Sequence, residues 1–399
     1  MKSKIYLDAA ATTKPKKEVV DAMMPYFTDL WHNPSSLYAP SIEIKRKVEE
    51  SRKIVAEFIG ADSNEIFFTS GGSESNCWAI KGFAEECFEK FITPIIITSS
   101  IEHKSILDCA NKSICGDIYI VGVDESGRLN IEELKNLLIN LHAQNESDII
   151  NCKILVSIQF ANNEIGTIQY IEQISELVHK YDGIFHTDAV QAFGKTPINV
   201  EKLGIDMLSA SGHKIGTPKG IGFLYKKSDI KIKPLIYGTQ MDGMRGGTEN
   251  VPYIIGLSKA VEMAQKYMDI YLNFGDWTKE NLQQYFIREL KNIGCKLNGT
   301  DGYRLKDNIN VTFSQNITGE ALLYTLDLSG IQISTGSACN SSSIEPSHVL
   351  KAIGLSDEDA MKTVRFTLAD DTTYEDIDYV IEEIDKAIKL ISLEGNGEH

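Results

Sequence analysis

Between residues 60 and 225 the chain alternates short apolar runs with longer stretches whose apolar residues recur at helical spacing. The runs at 66–69, 94–98, 117–121, 153–157, 183–187, 205–209 and 222–225 have strand length and composition. The segments 131–141 and 171–181 carry one apolar face each and read as amphipathic helices. Strands that are apolar throughout and alternate with helices predict an α/β fold, a mostly parallel sheet covered on both faces. Beyond residue 260 the pattern changes. A long helical stretch over 261–293 leads to a strand at 308–313, a helix, a Ser/Gly-rich loop, a strand at 364–368 and a final helix over 374–391. This reads as a smaller α+β domain.

Composition narrows the classes. Of 399 residues, 42% are hydrophobic and 24% charged, which excludes disordered, collagen-like and low-complexity chains. The net charge of −16 argues against direct nucleic-acid binding, tRNA included. No run of eighteen apolar residues and no apolar leader is present, so no membrane association is expected. Seven cysteines, an odd number spread over a long chain, do not form a disulfide framework and suit a reducing, cytoplasmic setting.

In sheets of this kind ligands sit beyond the carboxyl ends of the strands, so the residues after each strand carry the search. Ser70-Gly-Gly-Ser73 follows the first strand and opens a helix, which makes either an anion cup or an ordinary capped turn. His103, Asn162-Asn163 and Asp188 end later strands. The spacing of His186 and Asp188 hints at metal, but nothing else in the chain resembles a metal site, and none is expected. Lys214 sits among small residues in Ser211-Gly-His-Lys214, where a lysine can form a Schiff base. A phosphate cup, an Asp partner and such a lysine together describe pyridoxal 5'-phosphate. Cys77, Cys87, Cys109 and Cys152 read as core, Cys115 and Cys295 lie beside Gly near turns, and Cys339 alone occupies a polar Ser/Gly loop, as an accident or a nucleophile.

Taken together these segments resemble the cysteine desulfurases, pyridoxal-phosphate enzymes in the class V branch of the aspartate aminotransferase-like superfamily. The resemblance runs through Tyr6-Leu-Asp-Ala-Ala-Ala-Thr-Thr13, His32-Asn-Pro-Ser-Ser36, Phe68-Thr-Ser-Gly-Gly-Ser-Glu-Ser-Asn76, Glu102-His-Lys104, Asn162-Asn-Glu-Ile-Gly166 and His186-Thr-Asp-Ala-Val-Gln191. It continues through Ser211-Gly-His-Lys214, Arg245-Gly-Gly-Thr-Glu-Asn250, Thr335-Gly-Ser-Ala-Cys-Asn340, Glu345-Pro-Ser-His-Val-Leu350 and Val364-Arg-Phe-Thr367. The Gly-Ser-Ala-Cys loop resembles the group with a long cysteine loop.

The resemblance implies a seven-stranded sheet in a large cofactor domain, 15–260, and a small domain built from 1–14 and 261–399. It implies that Lys214 holds the cofactor and moves the Cα proton, Asp188 meets the pyridine nitrogen, His103 stacks on the ring and Gln191 bonds the phenolic oxygen. Gly72, Ser73, Ser211 and His213 would hold the phosphate, with Thr248 from the second subunit of a homodimer. Asn163, beside the cofactor, and Arg365 would hold the carboxylate of L-cysteine, and Cys339 would take its sulfur as a persulfide, leaving L-alanine. The sulfur would pass to a protein acceptor, a scaffold for iron-sulfur cluster assembly or a tRNA-thiolating protein. Three features depart from the family pattern: Ala9 replaces an Asn, Ser73 replaces a Thr, and Tyr237-Gly-Thr-Gln240 replaces a triple-glycine motif. Rival readings are a class V aminotransferase, a selenocysteine lyase, or a non-catalytic subunit that retains the fold.

Overall fold

The continuous apolar runs of the first two-thirds of the chain become strands whose alternate side chains enter two different cores. The computed structural model describes residues 4–113, 116–147, 151–274, 278–335 and 345–394. In chain order its strands are β1 (Ile5–Tyr6), β2 (Ile66–Thr69), β3 (Thr93–Ser99), β4 (Asp117–Val121), β5 (Cys152–Ser157), β6 (Ile184–Asp188) and β7 (Met207–Ser211). They continue with β8 (Gly222–Lys226), β9 (Cys295–Leu297), β10 (Asn308–Phe313), β11 (Ile331–Gln332), β12 (Ser334–Thr335) and β13 (Thr363–Thr367).

Seven of them form one sheet in the order β2-β8-β7-β6-β5-β3-β4. Strand β8 runs antiparallel to β2 and β7, and the remaining neighbours pair in parallel. The expected mostly parallel seven-stranded sheet is present. On one face Ile95, Ile97, Val156, Phe185, Leu208 and Phe223 meet Ile44, Val48, Leu134, Ile174, Ile254 and Leu257 from the covering helices. On the other face Phe67, Ile96, Leu155, Ile184, Met207 and Leu224 meet Trp78, Phe83 and Ile106. Burial on both faces is the physical reason these strands show no apolar/polar alternation.

A separate core gathers Leu7, Phe286, Ile309, Val311, Phe313, Val364, Phe366 and Val380. It lies on an antiparallel sheet in the order β12-β13-β10-β9. Strand β1 pairs in parallel with β11, Ile5 opposite Ile331, so the chain start reaches this second core. The helical stretch expected over 261–293 is two helices, Val251–Phe274 and Thr278–Asn292, the first beginning ten residues earlier than the pattern suggested. Cys295, expected at a turn, opens β9 and is buried. Among the described residues no helix is long and apolar enough to cross a membrane.

Candidate active site

A cleft of about 370 Å³ opens beyond the carboxyl ends of the parallel strands. Gly72, Ser73, His103, Asn163, Asp188, Gln191, Ser211, His213, Lys214 and Arg365, all singled out in the sequence, line it together. Thr248 is exposed and does not line it. Cys339 lies outside the described residues.

Lys214 ends a single turn, Gly212–Lys214, that follows β7. Small residues allow this turn to sit close: a Cβ on Gly212 would come 2.5 Å from Thr217 Oγ1. The Lys214 amine donates to the carbonyls of Ala10 and Ala11. Burial lowers its pKa to about 7, helped by the nearby cations Lys195 and Arg365 and opposed by Asp8 and Asp188. Burial, with Lys214 and Lys219, also lowers His213 to about 4, so its ring is neutral near pH 7. Nδ1 of that ring lies 3.1 Å from the Thr12 hydroxyl.

Asp188 is the last residue of β6 and is buried. Its two oxygens accept from Asn76 Nδ2 at 2.7 Å and from the Val190 backbone N–H at 2.9 Å. Asn76 Nδ2 also lies 2.9 Å from Ser105 Oγ, which in turn lies 2.8 Å from His103 Nδ1. The Ser105 N–H donates to that same ring nitrogen, so Nδ1 acts as an acceptor. Asp188 and His103 are thus joined through Asn76 and Ser105. The sequence reading gave neither of these a role. The signal was available for Asn76: it lies one helical turn after Gly72, hence on the same face of the helix Gly72–Glu89.

That helix starts three residues after β2, and its N-terminus faces the cleft through Gly72 and Ser73. Gly71 has φ 153°, and a Cβ on Gly72 would come 2.5 Å from Val190 Cγ2. Glu74 accepts from the Ser70 N–H at 2.7 Å and from Arg245 Nε at 3.0 Å, fixing the turn from behind. Open N–H groups at a helix start, two hydroxyls and a neutral imidazole fit an anionic phosphate.

Arg365, on β13, donates to Asp8 Oδ1 at 2.6 Å and to the Asn163 carbonyl at 3.1 Å, while its buried Nε has no partner among the described residues. Gln191 Nε2 donates to the Ala10 carbonyl at 3.0 Å, and its buried Oε1 likewise has no partner there. The chain on both sides of 336–344 is anchored beside the cleft. Ser334 pairs with Arg365 between β12 and β13. Beyond the segment, the Ser347 hydroxyl donates to Glu164 at 2.5 Å and His348 Nε2 lies 3.0 Å from the Glu102 carbonyl.

A family model described as aminotransferase class-V matches residues 5–380, and the chain belongs to that family. A curated relative, the cysteine desulfurase IscS of Dictyoglomus turgidum, is 44% identical over 396 residues, covering 98% of this chain and 96% of the relative. A solved NifS-like protein superposes with a TM-score of 0.85 at 33% identity, covering 97% of this chain and all of the other. SspA, solved in complex with cysteine, superposes with a TM-score of 0.76 at 36% identity, covering 92% and 99%. Within its family, the chain belongs with the cysteine desulfurases.

Proposed function

We propose that the protein converts L-cysteine to L-alanine with pyridoxal 5'-phosphate and carries the sulfur on Cys339 as a persulfide. The observation that supports this most is a single cleft holding a buried amine lowered to about 7, Lys214, with a carboxylate, Asp188, locked by Asn76 and a guanidinium, Arg365, on the same wall. An amine that is partly deprotonated near pH 7 suits a covalent hold on an aldehyde. Asp188 would meet the pyridine nitrogen, His103 would lie on the ring, and Gly72, Ser73, Ser211 and His213 would hold the phosphate, with Thr248 of the partner subunit in a homodimer. Gln191 would turn its amide from Ala10 toward the phenolic oxygen. Bound there, the cofactor would supply an electron sink for the pair left when the Cα proton departs.

The chain's own residues do the rest. Arg365 and Asn163 hold the substrate carboxylate, the fork of Arg365 suiting a planar anion. The Lys214 amine takes the Cα proton and later returns one. The Cys339 thiolate attacks the substrate sulfur; the carbon–sulfur bond breaks, a sulfur–sulfur bond forms, and L-alanine leaves. A protein acceptor then takes the sulfur, the iron-sulfur scaffold class being favoured by the IscS relatives. The seven cysteines, spread over a long chain, support a reducing, cytoplasmic setting.

The test is incubation with L-cysteine and a reductant, with alanine and sulfide measured. Cys339→Ala should keep the absorbance of the bound cofactor and lose both products. Wild-type turnover by that variant would exclude the persulfide route.

A further inference from the structure

Two cysteines outside this chemistry face each other directly behind the cleft. Cys77 follows Asn76 on the helix Gly72–Glu89, and Cys109 lies one turn after Ser105 on the helix Lys104–Ser113. The Cys77 sulfur lies 3.9 Å from the Ser105 carbonyl, and the Cys109 sulfur lies 3.9 Å from the Cys77 carbonyl. Each sulfur thus lies against the backbone of the helix that carries the other. Cys77 is partly exposed while Cys109 is buried, so an oxidant reaches the pair through Cys77. The sequence reading assigned both to the core; the structure makes them a matched pair across two helices.

We propose that Cys77 and Cys109 are a redox modification site, a dithiol that a peroxide converts to a disulfide tying the two helices behind the cleft. The Cys77 thiolate attacks a peroxide oxygen, giving a sulfenic acid and water. The Cys109 thiol then displaces the hydroxyl as a second water, and the sulfur–sulfur bond forms. Each sulfur loses one electron and the peroxide gains two. Contact with Cys109 lowers the Cys77 pKa against its burial, with Lys81 adding to the effect. Cys87 and Cys295 behave in the opposite way, burial pushing their thiols up to about 11 and about 12. Among these described cysteines, Cys77 is the one prepared to attack. The bridge would fix the spacing of Asn76 and Ser105, which together hold Asp188 and His103.

The experiment treats the full chain, carrying Cys339→Ser to remove the loop thiol, with hydrogen peroxide and maps its peptides. The readout is chemical, so it stands apart from any result on cysteine turnover. The expected result is a peptide pair joining Cys77 to Cys109, lighter by two hydrogens and separated by dithiothreitol. Adding Cys109→Ser or Cys109→Ala should abolish the pair and leave Cys77 trappable as a sulfenic acid. Recovery of both residues as alkylatable thiols after treatment, or a link from Cys109 to Cys115 instead, would overturn the proposal.

Discussion

Arg365 is bound to Asp8, Nη2 to Oδ1 at 2.6 Å, across 357 positions of sequence. The group proposed to hold the substrate carboxylate already holds one from the chain itself. A substrate carboxylate that takes Nη2 would compete with Asp8. Arg365→Lys, which removes the fork, should raise KM for L-cysteine about 10- to 100-fold while kcat falls less, an effect of about 1–3 kcal/mol. Asp8→Asn weakens the competitor and should lower KM. Initial rates of alanine formation decide both, and a KM unchanged by either substitution would remove Arg365 from substrate binding.

The Lys214 amine sits at about 7, against an ordinary value of 10.5. Below pH 7 the folded and unfolded chains both carry the proton, and the burial penalty is fully felt. Between pH 7 and 10.5 only the unfolded chain carries it, so stability rises with pH. Over that window Lys214 should add roughly 5 kcal/mol to the stability of the cofactor-free protein. Lys214→Met should lack this rise. Urea unfolding of both proteins across the window measures it, and parallel profiles would contradict it. The rate at which the cofactor-free protein captures pyridoxal 5'-phosphate should also rise through pH 7 and then level off.

Asn76→Ala leaves Asp188 Oδ2 without its side-chain donor in a buried place. An unsatisfied buried carboxylate oxygen costs about 1–3 kcal/mol. The expected outcome is cofactor affinity weakened about 5- to 150-fold, read by equilibrium titration of the cofactor-free protein. Asn76→Asp, which sets a second negative charge against Asp188, should do at least as much harm.

A Cβ at position 222 would meet backbone on both sides, the Ala210 carbonyl at 2.4 Å and Gly71 Cα at 2.8 Å. At position 72 it would meet the end of the Val190 side chain at 2.5 Å, which can rotate. Gly222→Ala should therefore lower Tm more than Gly72→Ala, with costs of about 1–3 kcal/mol for the milder change. The reverse order in a melting experiment would show that the turn is looser than its geometry indicates.

The strands of the large sheet were legible because burial on both faces leaves continuous apolar runs of useful length. Strands β1, β9, β11 and β12, two or three residues each, carry no period to read. Strand β8 was legible as a strand but not in its antiparallel direction, which depends on pairing and not on composition. In the site, residues that end strands stood out, because topology brings strand ends together. Residues that act through a neighbour did not. Asn76 and Ser105 are ordinary helix residues until Asp188 and His103 are set beside them. The carbonyl of Ala10 has no sequence signature, yet it accepts from both Lys214 and Gln191.

That carbonyl, together with Asp8, bears on how the protein is made. Residues 8–11 leave the ribosome before their partners Gln191, Lys214 and Arg365, which follow in turn. A nascent chain translated through residue 226 has every strand of the large sheet and still lacks β11 and β13, against which its own N-terminal segment is held. Closing contacts of such long sequence separation is slow and comes after local structure. The contacts that enclose the cleft are therefore expected to form late, and a chain truncated before Arg365 would leave the Lys214 amine without the wall that β13 supplies.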